Sequence, residues 1–180
     1  VGGDFYMKED LEGNIEEMKK YLKKLDASGL YDVEKYSRSL LHQTSQLCYF
    51  YCSLVKDGSP SDTYYHVHKR PKEHQMAYFN IGRGFPKELM DGHWCYVVKD
   101  LGYKMLIIPC TSIKKESSPV NPHFEKDLTV LDEHGMITHS RMQLTDLRTV
   151  DIQRLDCRKP FYNVCDDQEE IRKFIIEHLF

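Results

Sequence analysis

The sequence predicts an α+β protein in which an α-helical hairpin precedes a small β-barrel with a C-terminal helix. Three observations carry this reading. Leu11, Ile15, Met18, Leu22 and Leu25 recur at spacings of four and three, the seam of an amphipathic helix. Beyond residue 62 the texture changes to short apolar runs, Trp94–Val98 and Met105–Cys110, long enough for buried strands and too short for core helices. Ile171, Phe174, Ile175 and Leu179 then return to helical spacing at the end of the chain.

Taken in order, the first helix is broken by Asp26-Ala-Ser-Gly29. A second starts near Asp32, a residue type that caps helix N-termini with its carboxylate. Val33, Tyr36, Leu40, Leu47, Tyr51 and Leu54 give it an apolar stripe, which can dock on the next domain, on a second copy or on a partner. Asp57-Gly-Ser-Pro-Ser-Asp62 reads as the linker, dividing a helical extension (1–62) from a barrel domain (63–180). Met76–Ile81 is β-prone, and Asp100-Leu-Gly102 suits a tight turn between the two apolar runs. Residues 113–126, rich in Lys, Ser and Pro, read as a surface loop. Leu128–Leu131 and Ser140–Leu144 read as further strands about a turn at Glu133-His-Gly135, and Asp166 or Asp167 can cap the last helix. Short, closely connected strands followed by a helix suggest a barrel with the helix packed on it.

Composition narrows the class. The chain has 180 residues, 41% hydrophobic and 29% charged, enough for one well-cored domain with an appendage. No apolar stretch approaches the length of a membrane span, and the N-terminus turns acidic at once without a signal-peptide core, so a cytoplasmic protein with no membrane partner is expected. Val1–Gly3 receive no role. Six cysteines occur without a CxxC pair, as in a reduced cytosolic protein; a disulfide or zinc framework is the alternative. The net charge of −3 belongs to the extension: residues 1–63 hold 8 basic and 11 acidic side chains, residues 64–180 hold 17 of each. A duplex-DNA binder would carry a basic excess, whereas a neutral domain can still hold a short single strand in a local groove.

Four segments, in order, resemble the MazF/PemK family of toxin ribonucleases. Lys72-Glu-His-Gln-Met-Ala-Tyr-Phe-Asn-Ile-Gly82 is similar to the family's first strand, usually R-G-D-I-V-W-V-N-F-G, with His74-Gln75 where the family has Gly-Asp. Glu88-Leu-Met-Asp-Gly-His-Trp-Cys-Tyr-Val-Val98 resembles its loop and second strand, in the branch written E-x-G-G-x-H-Y-A-V-V. Ile107-Ile-Pro-Cys-Thr-Ser112 matches V-x-P-x-T-S, and Leu147-Arg-Thr-Val-Asp-Ile-Gln-Arg-Leu155 is similar to Q-I-R-T-V-D-x-x-R-L. The resemblance spans roughly residues 72–180. It implies an SH3-like barrel with a terminal helix, a homodimer, a cognate antitoxin whose tail occupies the RNA groove, and cleavage of single-stranded RNA without metal or other cofactor.

RNA carries its own nucleophile, the 2′-OH. A ribonuclease of this kind must hold the phosphate in line, take the 2′-OH proton and stabilise charge on the phosphoryl oxygens. His93 stands where the family usually has Arg; an imidazole can exchange protons near neutral pH, so His93 is the candidate general acid or base, against the plainer reading of a strand-end packing residue. Thr111 and Ser112 end the third strand, and their hydroxyls can donate to a phosphate oxygen or simply satisfy the backbone. Glu88 can orient His93, serve as base or be solvated, and Lys87 beside it can attract the RNA backbone. Arg148 matches the family's R-T pair and can contact phosphate or form a structural ion pair, for example with Asp151. Trp94 can stack on a base or pack in the core. Another scheme in the family uses an Arg-x-Asp pair just before R-T; Gln143 and Thr145 stand there, so that scheme does not operate. His66 and His68 share a strand face but lack further ligands at motif spacing, and Lys114-Lys115 are loop cations that can meet RNA. The leading expectation is a metal-independent endoribonuclease, the toxin of a toxin–antitoxin pair. The alternatives are a catalytically inactive barrel that binds RNA or protein, and an interaction protein dominated by its helices.

Overall fold

The computed structural model describes residues 4–59 and 61–180, with side chains from residue 10 onward; Val1–Gly3 and Pro60 of the expected linker lie outside the described residues. The chain divides into two compact units, Val1–Leu47 and Cys48–Phe180.

In the first unit, α1 (Asp4–Ala27) and the greater part of α2 (Val33–Tyr49) form on the expected segments. Gly29 sits at φ 65°, a left-handed conformation that glycine adopts without steric cost. Asp32 caps α2: the Lys35 N–H donates to its Oδ1 at 2.8 Å, satisfying a helix-end donor. The α1 seam is covered only toward its C-terminal end. Leu22 and Leu25 are half-buried, whereas Leu11, Ile15 and Met18 are exposed. Beyond α2 the chain continues as a π-helical turn, Phe50–Leu54, closed by the Val55 N–H donating to Phe50 O at 3.1 Å.

The second unit is a closed six-stranded antiparallel barrel with one extra strand. Its strands are β1 (Gln75–Asn80), β2 (Gly92–Asp100), β3 (Lys104–Ser112), β4 (Glu125–Leu131), β5 (Ile137–Gln143), β6 (Arg148–Asp151) and β7 (Tyr162–Val164). The order β2-β1-β7-β4-β5-β3 closes through the β2–β3 pairing, and β6 is added on β3. Strand β3 is the hub: Lys104–Ile107 pair with β6, Met105–Pro109 with β2 and Cys110–Ser112 with β5. Closure removes the free edges that an open sheet would leave unpaired. The β2–β3 turn ends with Gly102 at φ 83°, and a bulge lies between Val97 and Lys99.

The apolar runs of β1–β3 are continuous because both faces are covered. Ala77, Phe79, Cys95, Val97, Met105 and Ile107 join Val67, Val150, Ile152 and Leu155 in one core. The alternate positions Met76, Tyr96, Ile108 and Cys110 join Leu128, Val130, Met142 and Val164 in the other. Helix α3 (Gln168–Leu179) adds Ile171 and Ile175 to that second core, each burial being worth about 2 kcal/mol. Of the two expected caps Asp167 is the one used, accepting from the Glu170 N–H at 2.9 Å. The strand preceding α3, β7, was absent from the sequence reading; three residues are too few to show a period. Among the described residues, no helix is long and apolar enough to cross a membrane.

Candidate functional site

The start of β2 and the end of β3 meet at one rim of the barrel. The last β2–β3 pair in register is Cys95 with Pro109; beyond it His93 pairs with Phe79 of β1 and Thr111 with Arg141 of β5. A cleft of about 480 Å³ opens there, lined by Tyr78, Gly92, His93, Trp94, Cys110, Thr111, Ser112 and Lys114. Its size falls in the range of small-ligand sites. Gly92 pairs with Asn80 of β1, and a Cβ at that position would run into the phenol ring of Tyr78, two residues along the same strand.

His93 is half-buried, and its Nδ1 lies 3.2 Å from Cys110 O. A carbonyl oxygen only accepts, so Nδ1 carries the hydrogen, and in the neutral imidazole that tautomer leaves the lone pair on Nε2. Thr111 is half-buried and Ser112 exposed. Gln143 Nε2 donates to Thr111 Oγ1 at 3.3 Å and to Glu125 Oε1 at 3.1 Å. With one lone pair of Thr111 Oγ1 so occupied, its O–H remains able to donate elsewhere. Trp94 both lines the cleft and packs: its ring stacks on Tyr162 with centroids 4.3 Å apart and meets Tyr78 edge-on at 5.5 Å.

Three other candidates stand outside the cleft lining. Glu88 turns back on its own loop, where its Oε2 accepts from the Phe85 N–H at 2.5 Å, and Lys87 is exposed in the same turn. Arg148 forms its ion pair with Asp146 at 2.9 Å, while Asp151 accepts from the Gln153 N–H instead. Asp146 Oδ1 also accepts from the Leu89 N–H at 2.9 Å, so this pair anchors the loop ahead of β2. Arg148 thereby supports the segment that presents His93.

A second, polar depression of about 200 Å³ adjoins the cleft and shares Thr111 and Ser112 with it; Ile113, Ser117, Ser118, Glu125, Arg141 and Gln143 complete its walls. Arg141 stands opposite both Thr111 and Asp127 in register. Its guanidinium is 8% exposed for the whole residue and fully engaged on one side: Nε and Nη2 donate to the two Asp127 oxygens at 2.7 and 3.1 Å, and Nη1 donates to Ser118 O at 2.6 Å. The Asp127 hydrogen bonds hold the Arg141 guanidinium above its ordinary pKa, so it is a fixed cation. Arg141, Glu125 and Gln143 were missed as functional candidates in the sequence reading. Only Gln143 carried a signal there, as the position where one scheme of the family that the sequence resembles has Arg.

The rings of His66 and His68 lie 5.1 Å apart, and among the described residues no three His, Cys, Asp or Glu side chains converge as metal ligands. Cys95 and Cys110 are buried, and burial pushes both thiols up, Cys110 to about 12. All six cysteines are free. No protein-family model matches the chain and no curated protein matches it, so the family resemblance stands on the residues of its four segments alone.

Proposed function

We propose that this chain is an endoribonuclease that cuts single-stranded RNA without a metal ion, the toxin component of a toxin–antitoxin pair, and that it works in the cleft between β2 and β3. The observation that supports this reading is the meeting of His93 and Thr111, distant in sequence, in one open cleft, with Nε2 of the one and the O–H of the other available.

In the proposed reaction the O2′ of the bound ribose forms a bond to phosphorus while the P–O5′ bond breaks. The proton of the 2′-OH passes to a base, and O5′ leaves as a hydroxyl after taking a proton. His93 Nε2 performs one of these transfers, worth about 10²- to 10⁴-fold in rate, and solvent performs the other. Thr111 and Ser112 donate to the phosphoryl oxygens, and Lys114 supplies positive charge at the cleft mouth. Products are a 2′,3′-cyclic phosphate and a 5′-OH end. The same proposal includes an antitoxin segment that fills the cleft and a homodimer of the barrels.

The test is a long unstructured RNA incubated with the purified protein in chelator, with cut ends mapped. Cyclic-phosphate and 5′-OH ends are expected from the native chain, and His93→Ala is expected to lose at least 10²-fold in rate with unchanged thermal unfolding. Intact RNA would overturn the reading. A second reading, a barrel that binds RNA without cutting it, is favoured by the position of Glu88 and Arg148 outside the cleft, which leaves His93 as the one proton-transfer group among the candidates there. Retention of labelled RNA without new ends would select it.

A further inference from the structure

We propose that Cys48 and Cys52 form a vicinal-dithiol site that exchanges with low-molecular-weight disulfides, of the oxidised-glutathione class, and closes to an intrachain disulfide. The two Sγ atoms are 4.0 Å apart, with Cys48 donating to Cys52, and both residues are exposed. They straddle the junction at which α2 gives way to the π-helical turn Phe50–Leu54. On a regular α-helix, residues four apart share a face with about 5–6 Å between their Cβ atoms. The i→i+5 bond from Val55 to Phe50 marks a wider turn with less rise per residue, which shortens the axial separation of positions four apart. Closure then has to bring the sulfurs from 4.0 Å to the covalent separation of about 2.05 Å, by side-chain rotation together with an adjustment of the turn that brings the Cβ atoms to about 3.8 Å.

The other thiols do not compete for this role. Cys95 and Cys110 are buried in the two barrel cores, away from a dissolved disulfide. Cys157 and Cys165 are exposed, and Cys157 Sγ donates to Leu155 O rather than to a thiol.

The exchange balances in two steps. One cysteine, as thiolate, attacks a sulfur of the small disulfide; a mixed disulfide forms and one small thiol leaves with a proton. The second cysteine, as thiolate, attacks the protein sulfur of that mixed disulfide and expels the second small thiol. Two protein thiols and one small disulfide become one protein disulfide and two small thiols. The resulting ring is short and solvent-exposed, the class of disulfide that is readily reduced again. The site is therefore a reversible one and not a structural staple.

The experiment uses the full chain with oxidised glutathione, followed by alkylation and peptide mapping. The 48–52 peptide is expected to lose two hydrogens, to carry no glutathione, and to form before any adduct at Cys157 or Cys165. Cys48→Ser and Cys52→Ser are expected to stop at a persistent glutathione adduct on the remaining cysteine, with complete loss of the intrachain product and an unchanged circular dichroism spectrum. Adducts accumulating on both Cys48 and Cys52 of the native chain, an intermolecular disulfide in place of the intrachain one, or prior reaction at Cys157 or Cys165 would each overturn the proposal.

Discussion

Thr111 shows how a hydroxyl can be aimed by a neighbour. Gln143 Nε2 fills one of its lone pairs and is itself held by Glu125, which also accepts from the Asn121 N–H at 2.7 Å. Replacing Gln143 by Leu removes both donor contacts and frees the Thr111 hydroxyl to rotate. We expect Gln143→Leu to cost about 1 kcal/mol in stability, measured by urea denaturation. The RNA cleavage proposed for the cleft should fall about tenfold, the effect of roughly 1.4 kcal/mol in the transition state. An unchanged rate would remove Gln143 from the site. At the same scale, the place of His93 at the start of β2 was legible in the sequence, because the apolar run that it precedes is a local feature. The Nδ1 contact to Cys110 O was not, since it depends on β2 lying beside β3. The partner of Glu88 was not legible either: five residues of chain separate it from His93, but its carboxylate accepts from the Phe85 N–H of its own turn and is absent from the cleft lining.

Single elements are held by interactions that substitutions can isolate. Asp167 caps α3, and Asp167→Ala should cost about 1 kcal/mol in chemical denaturation, with the barrel strands intact by circular dichroism. The β2–β3 turn is tied to the segment ahead of β1 by Arg70, whose Nε and Nη2 donate to Asp100 at 3.1 and 2.6 Å and whose Nη2 also reaches Gly102 O. These bonds, with the Gly102 N–H, hold the Asp100 carboxyl below its ordinary pKa. An acid whose pKa is lowered by folding contributes stability above its unfolded-state pKa, and that contribution disappears as pH falls through the folded-state value. The stability gap between the native chain and Arg70→Ala should therefore be present at neutral pH, about 1 kcal/mol for this partly exposed pair, and should shrink on acidification below the carboxylate range. A gap independent of pH would assign Arg70 a packing role only. Helix α3 and strands β1–β5 were readable because their apolar runs and caps are local features; β7 was not, because its three residues become a strand only by pairing with both β1 and β4.

For the whole molecule, the division at Leu47 and Cys48 makes a direct prediction. Residues 48–180 expressed alone should unfold in one cooperative transition and keep the cleft chemistry, since the residues of the cleft and of both cores lie within that unit. A chain that precipitates or melts without cooperativity would show that the first 47 residues complete the fold. The sequence by itself determined the three helices and the apolar runs of β1–β5, the aspartates able to cap α2 and α3, and that His93, Trp94, Thr111 and Ser112 stand at strand ends, because period, capping and turn chemistry act over a few neighbouring residues. Tertiary structure alone decided that β2 closes on β3, that Thr111 meets Gln143 and Arg141 on β5, and that Arg148 pairs with Asp146. Those outcomes join positions tens of residues apart or depend on the precise path of a loop, and the free energy that selects them comes from burying both faces of a closed sheet, a quantity no local pattern records.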